Sequence, residues 1–178
     1  MLFSSLEFVY GFLPLTLFVY YVLPWRFKNI ALLLSSLVFY YYGGQNSILI
    51  MLLIIAVNYF AAIKIEAGRR NGSSKIYLIA GAGVSLICLA VFKYADFFIG
   101  NINAAFGLKL PLPGLALPIG ISFYTFQALS YITDVYRGNV TAQKNPVKLA
   151  AYISFFPQLI AGPIVRYTDI APRLDRRE

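Results

Sequence analysis

Leu117 to Gly138 reads LPIGISFYTFQALSYITDVYRG, a run apolar enough to cross a membrane that nevertheless carries Gln127, Asp134 and Arg137. Polar and ionisable groups inside a membrane helix face the protein interior or a watery cavity. Tyr124, Gln127, Tyr131 and Asp134 follow one another at spacings of 3, 4 and 3, which puts all four on one face of a helix. That face is predicted to look at protein or water. Two readings of it stand side by side. In the structural one, Gln127 bonds a neighbouring helix and Asp134 pairs with Arg137 near the cytoplasmic interface. In the functional one, the stripe lines a polar passage or reaction chamber. Pro118 suits the first turn of this helix, where its missing N–H costs nothing.

Composition supplies the setting. Hydrophobic residues make up 60% of the 178 and charged residues 12%, with a mean hydropathy of +0.71. One core in a chain of this length cannot enclose so much apolar surface, so the partner of that surface is the lipid bilayer. The net charge of +8 does not signal nucleic acid, because the basic residues punctuate apolar runs instead of forming a stripe interleaved with aromatics. There is no histidine, which removes histidine-activated nucleophiles and the commonest metal ligand. Cys88 is the only cysteine and sits in an apolar run as filler, so no disulfide and no metal site can be read.

The runs alternate with basic loops. Phe8 to Leu23 contains Pro14 and is followed directly by Arg26 and Lys28; with no cleavage site after it, it reads as a membrane helix whose N-terminus is outside. Ile30 to Tyr42 is short for a span and ends in Phe39-Tyr40-Tyr41-Tyr42, an interfacial aromatic cluster. After a turn at Gly43 to Ser47, Ile48 to Ile63 returns to the basic loop KIEAGRRNGSSK. Ile76 to Phe92 leads outward, and residues 93–116 are predicted to form an amphipathic piece and loop on the outer surface, with Phe98, Ile102, Ala105 and Phe106 at helical spacing. The expectation is an all-α polytopic membrane protein: one membrane domain over 1–178, with about five transmembrane helices and a broken segment over 147–167.

That broken segment is KLAAYISFFPQLIAGPIVRY, Lys148 to Tyr167, interrupted at Pro157 and at Gly162-Pro163. A simple outward crossing would leave Arg166, Arg173, Arg176 and Arg177 outside, against the positive-inside rule. The charges favour a re-entrant hairpin; the alternative is a crossing in which further helices override them. Broken backbone at membrane depth needs protein or a watery cavity to satisfy its freed polar groups, which predicts a cavity beside Pro157 to Pro163.

The pair LPIGISFYTFQALSYITDVYRG and FFPQLIAGPIVRY, with FSSLEFVYGFLPL and SSLVFYYYGG before them, resembles the membrane-bound O-acyltransferase family, in the branch of alginate O-acetyltransferases and teichoic-acid D-alanyl transfer proteins. The likeness runs over essentially the whole chain but only over the N-terminal portion of the family's length. It implies a multi-pass helical enzyme of the inner membrane with a thinned centre and a tunnel. No cofactor would be bound; an acyl thioester of coenzyme A or of a carrier would donate its acyl group to a hydroxyl of an exported polysaccharide. It implies as well that Tyr124, Gln127, Tyr131, Asp134, Gln158 and Arg166 wall the passage, and that Pro118, Gly120, Pro157, Gly162 and Pro163 break its backbone. The family's catalytic histidine lies on a later helix, so no catalytic residue is expected here, and a downstream catalytic half or partner proteins of polysaccharide modification would complete the site. A catalytically inactive membrane scaffold and a small channel using the stripe as its pore are the other two readings; the lack of an inverted repeat counts against the channel.

Overall fold

The computed structural model describes residues 5–43, 47–161 and 165–175, with the side chains of 160, 161, 173 and 175 left out. A π-helical turn, Glu7–Phe12, runs into α1 (Leu13–Val22). It is followed by α2 (Trp25–Gly43), α3 (Ser47–Gly68), α4 (Ser74–Phe106), α5 (Ile121–Arg137), α6 (Pro146–Ile153), α7 (Phe156–Ala161) and α8 (Tyr167–Asp175). The described residues hold no strand.

α3 and α4 are long and apolar enough to cross a membrane. At 1.5 Å per residue, their 22 and 33 residues extend about 33 Å and about 50 Å, against a hydrocarbon core of about 30 Å. Large apolar side chains stand outward all along them, among them Leu49, Phe60, Ile87 and Phe97, each more than 60% exposed. Surface of that kind suits contact with lipid, which is compatible with a polytopic membrane protein.

Its core is the packing of α3, α4 and α5 on one another. Gly81 of α4 makes the approach possible: a Cβ there would lie 2.7 Å from the Cβ of Ala61 on α3 and 3.5 Å from Ile132 on α5. Small residues at such crossings let membrane helices meet where the hydrophobic effect gives no drive. Beside it, Asn58 of α3 donates to Ser85 Oγ of α4 at 2.8 Å, and Ser85 donates to the Gly81 carbonyl. Met51, Ile54, Ile65, Tyr124, Ala128, Tyr131 and Ile132 fill the space between, all fully buried.

A second cluster ties the N-terminal part on. Phe8 and Phe12 meet Phe39 of α2 and Phe156 of α7 at centroid separations of 5.4 to 6.0 Å, mostly edge-on. Such geometry suits aromatic quadrupoles.

Two local expectations differ from the structure. Residues 93–106 are not a separate amphipathic piece but the last turns of α4, because no proline interrupts the helix before Gly107, which ends it at φ +65°. The following loop straps back along this end: Asn103 bonds both backbone groups of Leu110, and the Gly114 N–H reaches Asp96 Oδ1 at 3.1 Å. Pro118 is not in the first turn of α5 either. Gly120 at φ +71° cannot be helical, so the helix starts at Ile121 and Pro118 precedes it. The expected turn at Gly43 to Ser47 lies largely outside the described residues.

Candidate functional site

The stripe on α5 is buried along its full length: Tyr124 and Tyr131 have no exposure, Gln127 has 3% and Asp134 6%. Tyr40 of α2 meets Tyr124, and the broken segment covers Gln127 and Tyr131. α6 begins at Asn145, whose side chain caps the N–H groups of Val147 and Lys148, with Pro146 at the first helical position. It ends at Ile153 because the ring of Pro157 would collide with the carbonyl four residues earlier in a continuing helix. Pro157 therefore lies in the first turn of α7, and the break falls at Ser154-Phe155. Gly162 and Pro163 lie outside the described residues.

Breaking the helix frees backbone groups, and two neighbouring helices answer them. Gln127 Nε2 donates to the Tyr152 carbonyl at 3.0 Å and to Gln158 Oε1 at 2.8 Å, so one amide holds both sides of the break. The Phe156 N–H donates at 3.3 Å to Ser36 Oγ, which in turn donates to the Leu32 carbonyl within α2. At the far end, the Gly120 Cα comes so near α7 that a Cβ would sit 2.9 Å from the Leu159 carbonyl oxygen. Tyr40 donates to the neighbouring Ile119 carbonyl at 2.8 Å.

The residues from 165 onward pack against α5 and α6. Tyr152 donates its hydroxyl to the Val165 carbonyl, and the Tyr167 ring lies edge-on to Tyr131 and Tyr152 at 4.9 and 5.1 Å. Farther along, the Leu174 carbonyl accepts from Asn29 at the start of α2. Tyr167, Ala171 and Leu174 therefore lie beside the α5–α6 loop and the start of α2.

The expected pairing of Asp134 with Arg137 is not formed. Gly138 at φ +86° closes α5 with a left-handed turn that brings Asn139 back, and Asn139 donates to Asp134 Oδ1 at 3.0 Å. Asp134 Oδ2 is buried without a hydrogen-bond partner. Arg137 is exposed and belongs to another cavity, with Arg69 and Lys75. Arg166 is likewise exposed.

Below the stripe, the α5–α6 loop is held by its own polar lattice. Tyr131 Oη accepts from the Gln143 N–H at 2.8 Å, and Gln143 Nε2 donates to Tyr167 Oη at 2.7 Å. A cavity of about 610 Å³ opens here, lined by Glu66, residues 139–144, Tyr167 and Ala171. Gln127 and Gln158 do not line it. Ser36, Asn139, Gln143 and Tyr152 all belong to this assembly and carried no signal beyond being polar or aromatic within apolar runs. The described stripe offers amide and hydroxyl donors and one carboxylate, a set suited to holding backbone and orienting a polar ligand.

Comparison with known proteins accords with the resemblance in the sequence. The chain is 40% identical over 182 residues to a protein of Pseudomonas putida named probable alginate O-acetylase AlgI, a match that takes in 99% of this chain. The Pseudomonas aeruginosa protein of the same name is also 40% identical over 99% of the chain. A Helicobacter pylori protein named peptidoglycan O-acetyltransferase is 32% identical over 97%. The chain is related to the membrane-bound O-acyltransferases of the alginate O-acetylase branch. It resembles the N-terminal portion of these proteins, and spans 38%, 35% and 38% of the length of the three relatives respectively. No family model and no solved structure matches it. The two stretches that carry the resemblance are those that Gln127 joins.

Proposed function

We propose that the chain forms part of a membrane-bound O-acyltransferase that moves an acetyl-type group from a cytoplasmic thioester to a hydroxyl of an exported polysaccharide, alginate being the nearest model. The observation that carries this reading is the 40% identity to alginate O-acetylases over 99% of the chain. In the reaction, the acceptor oxygen bonds to the acyl carbon, the carbon–sulfur bond breaks, and the thiol leaves with the proton of the hydroxyl. The 178 residues contain no histidine, so a histidine that takes up that proton would come from elsewhere in the enzyme. The inactive-scaffold reading is the outcome to be tested against.

In this reading α1 to α5 cross the inner membrane with the N-terminus outside, and α6 and α7 form a re-entrant hairpin. Two observations support it. Arg26 and Lys28 stand in the first turn of α2, and Arg69, Arg70 and Lys75 in the α3–α4 turn and the first turn of α4. The residues after the hairpin lie at the same end as Asn29, Glu66 and the α5–α6 loop. The role proposed for the stripe is positional: Gln127, through Tyr152 and Gln158, fixes the irregular wall along which donor and acceptor approach. Tyr124, Tyr131 and Asp134 support that wall from behind.

The test is transfer by the full-length protein in proteoliposomes, supplied with a labelled acetyl thioester and oligomeric alginate. Label in the polymer is the expected result. Folded protein that transfers to no acceptor from either coenzyme A or a carrier thioester would overturn the proposal in favour of the scaffold.

A further inference from the structure

Another cavity among the described residues, about 510 Å³, lies between the α3–α4 turn and the end of α5. Arg69, Lys75 and Arg137 line it together with Gly72, Ser74, Tyr136 and Gly138, and no carboxylate among the described residues does. Arg69 is pinned there by donating from its guanidinium to the Val135 carbonyl at the end of α5. Lys75 and Arg137 are exposed and form no ion pair among the described residues. Three cations converging on one concavity without a counterion leave an anionic ligand as the natural occupant.

The surroundings say which anion. Lys75 lies in the first turn of α4, and the residues that follow, Ile76, Tyr77 and Ile79, are 68%, 36% and 60% exposed, so apolar surface begins at the rim of the basic cavity. Tyr136 is 38% exposed on the other side and has the amphipathic character of side chains at the headgroup level. A ligand with a phosphate at one end and acyl chains at the other matches that sequence of surfaces, whereas a soluble phosphate would use only half of it. Basic pockets between membrane helices on the cytoplasmic side take lipid headgroups.

We infer that the Arg69–Lys75–Arg137 cavity binds the headgroup phosphate of an anionic phospholipid, whose chains lie along the start of α4. The inference rests on the orientation given under the proposed function, which puts this end at the cytoplasmic surface. Its assay reads lipid and not acetyl transfer, so a protein that retains lipid yet transfers nothing would refute the proposed function and leave this site standing.

The experiment is native mass spectrometry of the full-length protein released from micelles containing phosphatidylglycerol or phosphatidylcholine, for the wild type and for Lys75→Gln with Arg137→Gln. Both side chains are exposed, so the variant keeps its fold, and an unchanged melting temperature checks this. Retained phosphatidylglycerol is expected on the wild type, with affinity lowered about 30-fold in the double variant as two surface cations are removed. Phosphatidylcholine retained equally well, or equal retention by the two proteins, would overturn the site. Competition by millimolar inorganic phosphate would also overturn the lipid assignment, in favour of a soluble phosphate ligand.

Discussion

Replacing Gln127 with Leu removes a side chain of similar volume and deletes two hydrogen bonds at once, those to the Tyr152 carbonyl and to Gln158 Oε1. Their losses differ. Gln158 is half-buried and can turn toward other partners. The Tyr152 carbonyl cannot: in an unbroken helix it would accept from the N–H of residue 156, but that N–H is committed to Ser36 on α2. A buried carbonyl left without a donor costs about 1–3 kcal/mol, and interhelical hydrogen bonds measured in membranes average about 0.6 kcal/mol. Together these set the expected loss at about 2 kcal/mol. Equilibrium unfolding of the full-length protein in mixed micelles measures it. Gln127→Glu, which can accept but not donate when ionised, should lose at least as much. Ser36→Ala should be coupled to Gln127→Leu, because both answer the same break. A loss below about 0.5 kcal/mol for Gln127→Leu, with no coupling, would refute the claim that this amide holds the broken segment.

Other outcomes follow from the same geometry. Gly81→Leu forces side-chain atoms into Ala61 across the α3–α4 crossing and should destabilise by about 3 kcal/mol or more, read as loss of monodisperse protein on size exclusion. Gly120→Ala combines a left-handed backbone with a contact against the Leu159 carbonyl and should cost about 2 kcal/mol or more in the same unfolding assay, whereas Gly100→Ala, where a Cβ meets nothing within 4 Å, should stabilise slightly. Asn145→Ala removes the cap of α6 and should cost about 1 kcal/mol. Single cysteines at Thr141 and at Asp169, in a Cys88→Ser background, should both be labelled from the cytoplasmic side and one at Leu112 from the other; opposite labelling of Thr141 and Asp169 would mean that the segment crosses.

Some of this architecture could be read before the structure because it is local. A spacing of 3, 4 and 3 fixes which residues share a helix face, and Tyr124, Gln127, Tyr131 and Asp134 do share a buried one. Proline chemistry limits where α6 can continue, although the break itself falls at Ser154-Phe155, three residues ahead of the ring that causes it. What could not be read is set by distance in sequence or by backbone conformation. That the Asp134 carboxylate meets Asn139 and not Arg137 depends on Gly138 turning left-handed, whereas simple helical spacing favours the i+3 neighbour. Ser36 looks like any small residue in an apolar run until Phe156, 120 positions away, is laid against it. The length of α4 was masked by its composition: polarity rises at Lys93, but the helix carries on past the thickness of the bilayer and supports a loop that straps back onto it.

The central claim, that this sequence serves acetylation of an exported polysaccharide, is met most directly by the ester content of that polymer. Exported polysaccharide would be collected from cells lacking the complete reading frame that contains this sequence, and from the same cells with the wild-type frame restored. The account predicts that O-acetyl esters disappear on deletion and return on restoration. An ester content unchanged by deletion, in cells whose wild type makes the protein in its membrane, would contradict it.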